Sequence, residues 1–170
     1  MKIKLVITDI DGVWTDGGMY YDNKGNELKK FNTSDSAGVV FLKALKIPVA
    51  IITGEDTEIV KRRAEKLKID YIFLGIKNKL KVVTELADKL GISLEEVAYI
   101  GDDINDIPVL KATGISAVPS NSKTYVKKYA RWVLSCNGGD GVFREFVERI
   151  LKLNNLLPKA LKIFLDEISK

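Results

Sequence analysis

Histidine is absent from the 170 residues, and cysteine occurs only once. Without histidine there is no Ser-His-Asp triad, no phosphohistidine chemistry and none of the usual zinc sites. The lone Cys136 rules out an internal disulfide. It has no histidine to activate it, and in "WVLSC" it reads as a buried strand residue. Cysteine-phosphatase spacing fails too, because Val142 rather than arginine stands six residues beyond Cys136. No Gly-Lys-Ser/Thr stretch occurs, so no P-loop is expected. Apolar runs are too short to span a bilayer and the first residues lack a secretory core, which makes cytoplasmic residence the expectation. Neither sign of charge dominates: 27 Lys and Arg face 23 Asp and Glu, a net +4. The basic residues alternate with acidic ones, as in "EIVKRRAEKLK", a solvated helix face. An anionic small molecule is therefore the expected partner, with no nucleic acid and no membrane.

The chain is rich in short apolar runs. "IKLVITDI" (3–10), "VAIITG" (49–54), "YIFLG" (71–75), "VAYIGD" (97–102), "ISAVP" (115–119) and "WVLSC" (132–136) read as buried strands. Helical spacing of apolar positions fills 35–46, 56–68, 78–90, 106–113, 122–130 and 140–153. Strict alternation predicts an α/β protein, a Rossmann-like parallel sheet between two helical layers, because each parallel crossover needs a helix-sized connection. With no repeat and no linker, residues 1–170 are expected to form one domain. The segment 17–33 breaks the alternation and reads as a β-hairpin turning at Asn23-Lys24-Gly25. A terminal helix is expected over about 158–170, with Pro158 in its first turn.

Ligands in open parallel sheets bind beyond the carboxyl ends of the strands. The first predicted strand ends in Asp9 and Asp11, the second in Thr53 and Gly54, the fourth in Asp102 and Asp103. Lys79 follows the third. Carboxylates gathered in this way repel one another unless a cation compensates, and oxygen ligands suit Mg²⁺. Asp106 admits a second reading, as a cap for the helix "IPVLKAT".

"DIDG", "ITG", Lys79 and "GDDIND", in that order, resemble the four motifs of the haloacid dehalogenase superfamily of phosphotransferases. The longer stretches "DGVWTDGGMYYDNKGNELKKFNTSDSAG", "ITGEDTEIVKRRAEKL", "AYIGDDINDIPVL" and "GGDGVFREF" resemble its capless subfamily that dephosphorylates sugar acids. That likeness covers about residues 3 to 153. It implies a Mg²⁺-dependent phosphatase of 3-deoxy-D-manno-octulosonate 8-phosphate or of the nine-carbon 2-keto-3-deoxynononate 9-phosphate. Asp9 would attack phosphorus and form an aspartyl-phosphate. Asp11, on the same strand face as Asp9, would exchange protons with the leaving oxygen and the incoming water, its carbonyl joining Asp9 and Asp102 at the metal. Lys79 and Thr53, with amides near Gly12 and Gly54, would hold the phosphoryl oxygens. Asp103, Asn105 and Asp106 would orient Lys79 and metal-bound water. Asp16 is left outside the chemistry.

Neither gap between motifs has room for a cap domain, so the hairpin and neighbouring subunits of a homotetramer would close the site. Arg144 in "GVFRE" would reach the substrate carboxylate by the same analogy. Two positions leave the octulosonate pattern, Glu55 and Ser34, each where arginine is common. Glu55 with Arg63 and Lys66 resembles the nine-carbon branch, which keeps both substrates open. Two rivals remain. A receiver-like switch would carry its phosphoacceptor at the end of the third strand, where "YIFLG" has no acid. A catalytically silent module would have no use for the full set Asp9, Asp11, Lys79 and Asp102.

Overall fold

The computed structural model describes residues 2–169. From β1 (Leu5–Thr8) the chain makes a hairpin of β2 (Tyr20–Tyr21) and β3 (Glu27–Leu28) and enters α1 (Asp35–Ala44). Alternation follows through β4 (Val49–Ile52), α2 (Glu58–Lys66), β5 (Tyr71–Phe73), α3 (Lys79–Leu90) and β6 (Val97–Ile100). The remainder is α4 (Ile107–Ala112), β7 (Ile115–Val118), α5 (Thr124–Lys127), β8 (Trp132–Val133), α6 (Val142–Leu153) and α7 (Leu157–Ile168). Six strands pair in parallel in the order β5-β4-β1-β6-β7-β8.

Burial on both faces explains why these strands read as unbroken apolar runs. Within β1, Val6 packs with Val39, Val60 and Phe143 on one side, while Leu5 and Ile7 pack with Val83, Leu86 and Val109 on the other. Helices α1, α2, α6 and α7 thus cover one face, and α3, α4 and α5 cover the other. The chain runs outward from β1 to β4 and β5, then crosses back to β6 on the opposite side of β1. This reversal opens a crevice beyond the carboxyl ends of β1 and β6.

The hairpin turns where the sequence predicts. Asp22 Oδ1 accepts the N–H groups of Lys24 and Asn26, both at 2.8 Å, and Gly25 takes φ +83°. Pro158 lies in the first turn of α7, as expected. Two expectations shrink. The stretch 132–136 is strand only over Trp132–Val133, because the Glu145 carboxylate takes the N–H groups of Ser135 (2.9 Å) and Cys136 (2.8 Å). Cys136 is accordingly half-buried rather than a core strand residue. The helix expected over 122–130 is regular only over Thr124–Lys127, after which Tyr129 and Ala130 bond three residues back, to Val126 and Lys127. Among the described residues no helix is long and apolar enough to cross a membrane.

Candidate active site

An open cleft of about 260 Å³ lies at the crevice, lined by Asp9, Asp11, Gly12, Gly17, Thr53, Gly54, Glu55, Asp102, Asp103 and Asn105. All of these but Gly17 are expected from sequence, and they come from the ends of three strands. Asp9 is placed by its own N–H, which bonds to Ile100 O of the neighbouring strand at 3.0 Å. Trp14 steadies the same turn from below: its Nε1 donates to Thr8 Oγ1 at 2.9 Å and its ring lies 4.8 Å from that of Phe143.

Glycine at position 12 is dictated by close approach. Its φ is +79°, and a Cβ there would sit 2.0 Å from Asp102 Oδ2. The late stretch "GGDG" buttresses the same loop. A Cβ on Gly138 would meet Gly12 O at 2.0 Å, and Gly139 N–H bonds to Val13 O at 2.9 Å. The sequence singled out "GGDGVFREF" by resemblance alone; packing against residues 12–16 is its physical role here.

Beneath the cleft Lys79, 1% exposed, bridges two carboxylates. Its Nζ lies 2.8 Å from Asp9 Oδ2 and 2.6 Å from Asp106 Oδ1. Burial pulls the ammonium down, but Asp9 and Asp106 outweigh it and the pKa ends above the lysine norm. Asp106 is fully buried and saturated. Its Oδ1 also accepts the Tyr99 hydroxyl, and its Oδ2 accepts the N–H groups of Asp102 (2.8 Å) and Asp103 (3.0 Å). It makes no capping bond to α4, so the capping alternative fails for that helix. Of the three residues expected to steer Lys79, Asp106 alone touches it among the described residues. Asp103 instead caps its own turn through Ile104 N–H at 2.8 Å, and Asn105 lies exposed near Gly54.

The acidic oxygens left over are spaced closely enough to hold a cation. Oxygens of Asp9, Asp102 and Asp106 lie within 4.8 Å of one another. Those of Asp106 are consumed by four donors, whereas Asp9 Oδ1 is buried without a partner among the described residues. Burial first, then Asp106, pushes Asp9 up to about 7, although Lys79 opposes the shift. Burial and then Asp9 push Asp102 up to about 8. Two carboxylates held against ionisation in a hard-oxygen pocket fit a divalent cation such as Mg²⁺.

Three cations expected near the sugar lie elsewhere in their own chain. Arg63 donates to Ser36 Oγ at 2.9 Å and covers the Phe31 ring. Arg144 Nε binds Glu148 Oε1 at 2.8 Å, in a shallow surface with Ser34 and Asp140. Lys66 is exposed in the last turn of α2. None of them lines the cleft.

Two buried groups escaped the sequence reading. Asp35 is the buried first residue of α1, its Oδ1 accepting Arg144 N–H at 3.0 Å, and burial pushes it up to about 6. Lys29 of the hairpin binds Asp11 Oδ1 at 2.7 Å. Neither sits at the carboxyl end of a strand of the parallel sheet, the signal that exposed the others.

Residues 72–146 match the haloacid dehalogenase-like hydrolase family. The 3-deoxy-D-manno-octulosonate 8-phosphate phosphatase of Haemophilus influenzae is 41% identical over 151 residues, which are 89% of this chain and 84% of that one. A Moraxella catarrhalis phosphatase of the same name, solved with magnesium, phosphate and its sugar acid, superposes with a TM-score of 0.87 at 38% identity. The match covers 91% of this chain and 89% of that one. The cobalt-bound Haemophilus influenzae enzyme gives 0.84 at 41% identity, covering 89% and 88%.

Proposed function

The chain belongs to the haloacid dehalogenase-like hydrolases, among relatives named as phosphatases, and on that premise we propose that it hydrolyses 3-deoxy-D-manno-octulosonate 8-phosphate through an aspartyl-phosphate on Asp9. It is a phosphoric monoester hydrolase and Mg²⁺ is its cofactor. The observation that carries the reading is Asp9 itself. One oxygen is tied to Lys79, and the other lies buried at the cleft with no partner among the described residues.

Asp9, Asp102 and the Asp11 carbonyl would hold the cation, which would supply positive charge to neutralise phosphate and carboxylate together. Asp9 attacks phosphorus in line, and the bond to the sugar oxygen breaks as Asp11 delivers its proton there. Water then attacks the acyl phosphate while Asp11 takes the proton back, releasing inorganic phosphate. Lys79 and the Thr53 hydroxyl hold phosphoryl oxygens whose charge is redistributed during transfer. Asp106 keeps Lys79 aimed through the bond described above.

Shielding of the sugar belongs to the assembly in this reading. A cleft of about 260 Å³ falls below the ~300–1,000 Å³ typical of pockets that enclose a ligand. The hairpin beside it exposes Met19, Tyr20, Tyr21 and Leu28, apolar surface suited to a neighbouring subunit. A homotetramer would cover that surface and bring another chain's Arg63, Lys66 or Arg144 to the sugar. In this reading the described residues form one domain with no cap. Glu55 on the cleft wall favours the nine-carbon substrate as a second reading.

The test is phosphate release from both sugar acid phosphates, with Mg²⁺ and after chelation. Metal-dependent release from the eight-carbon substrate at higher kcat/KM supports the proposal. Preference for the nine-carbon substrate transfers it to the second reading. Release that survives chelation contradicts both.

A further inference from the structure

Lys29 lies just beyond β3, yet its side chain is 1% exposed because it turns inward to Asp11. Its Nζ is 2.7 Å from Asp11 Oδ1 and 3.5 Å from Glu27 Oε1. The Thr15 hydroxyl donates to the same Asp11 oxygen at 3.2 Å. Thr15 is itself fixed, since its Oγ1 accepts the N–H groups of Gly12 and Gly17, both at 3.3 Å. Oδ1 of Asp11 therefore has two donors, while Oδ2 is buried with no partner among the described residues. The carboxyl torsion of an aspartate is soft and roughly two-fold, so an unclamped carboxyl would present either oxygen over a range of angles.

We propose that Lys29 is a positioning residue for proton transfer: with Thr15 it pins Asp11 Oδ1 and so presents Oδ2 alone to the leaving oxygen. This inference rests on the reading of Asp11 as the proton donor. In that step the proton passes from Oδ2 to the bridging oxygen as the P–O bond to the leaving group breaks and the Asp9–phosphorus bond forms. Lys29 contributes neither proton nor bond. Its effect is on geometry, where small misplacements carry large rate costs. Because Lys29 comes from the hairpin, the placement of that flap and the aim of the acid are mechanically tied.

A lysine that merely neutralises a buried carboxylate would affect all substrates alike. A lysine that aims a proton donor matters most where the leaving group needs the proton. The experiment compares kcat/KM for phenyl phosphate, a poor leaving group, with that for p-nitrophenyl phosphate, a good one, in Mg²⁺. The ratio of the two is insensitive to how much of a variant is folded. In Lys29→Met, and in Lys29→Gln as a second neutral replacement, the loss on phenyl phosphate should exceed the loss on p-nitrophenyl phosphate by about tenfold or more. Lys29→Arg, which keeps a donor, should restore most of the ratio. An unchanged ratio in both neutral variants, or an arginine variant as skewed as they are, overturns the proposal. Asp11→Asn separates the two layers of inference. A skewed ratio there, with normal ratios at Lys29, removes the positioning role alone, whereas no skew at Asp11 removes the acid reading beneath it.

Discussion

The strand ends and the flanking helices were both expected to supply site residues, and they do so very differently. From the ends of β1, β4 and β6, the residues Asp9, Asp11, Thr53 and Asp102 converge on one cleft. From α2 and α6, Arg63 and Arg144 turn to Ser36 and Glu148 instead. The difference is one of degrees of freedom. A residue at the end of a buried strand has its Cβ direction set by the ladder, and a short side chain such as Asp or Thr has little room to depart from it. A helix-borne arginine has a long stem with several torsions and settles on whichever acceptor is nearest. Short side chains on strands are therefore placed by topology, long cations by local competition or by a neighbouring chain.

The largest effect that probes this comparison should come from Lys79→Met. Lys79 is a long cation that behaves like a strand-end residue because two carboxylates bracket it. Its loss should reduce kcat by about 10²–10³, the usual cost of one transition-state donor. A near-normal kcat would mean that Lys79 serves folding only. Asp106→Asn comes next. It spoils a fully buried carboxylate that accepts four donors and should cost about 3–5 kcal/mol of stability, seen as a lower midpoint in thermal unfolding. An unchanged midpoint would show that the network relaxes without it.

Smaller again is Glu55→Ala, expected to lower kcat/KM for the sugar acid phosphate by about ten- to a hundredfold, the cost of one charge-assisted bond, with much less loss on p-nitrophenyl phosphate. Equal losses would place Glu55 with the catalytic residues. Lys66→Ala in the same assay sharpens the contrast. A loss confined to the sugar substrate would mean that an exposed lysine of another subunit reaches it, and no loss would leave it solvated.

The last effect is one of pH on the metal-free protein. Asp9 and Asp102 titrate at about 7 and about 8 in the fold, above the ordinary carboxylate value of 3.8. The native state thus binds more protons than the unfolded chain between those limits, so stability should rise as pH falls from about 8 toward 5. Saturating Mg²⁺ should flatten that slope. A slope unaffected by Mg²⁺ would argue that the cation binds away from these carboxylates.

The sheet and the floor of the site were legible because their signals are local: buried runs of Val and Ile, those at the site ending in Asp, Thr or Gly. Strand ends such as "VITDID" and "VAYIGDD" carry that pattern in consecutive residues. Lys29 was not legible, since its partner is Asp11, 18 residues away and reached only once the hairpin closes. The same holds for Asp35, whose acceptor role depends on α6 packing against α1. The short β8 was over-read because Glu145, ten residues downstream of Ser135, captures the backbone that the sequence pattern assigned to a strand.

The central claim, that Asp9 becomes phosphorylated at a metal site built on strand ends, is tested most directly by acid-quenching the enzyme during turnover of a phosphate-labelled substrate and mapping the label. The account predicts label on the peptide carrying Asp9, lost in Asp9→Asn and in EDTA and regained with Mg²⁺. Turnover by Asp9→Asn at a near-normal rate, or label on any other residue, would contradict it.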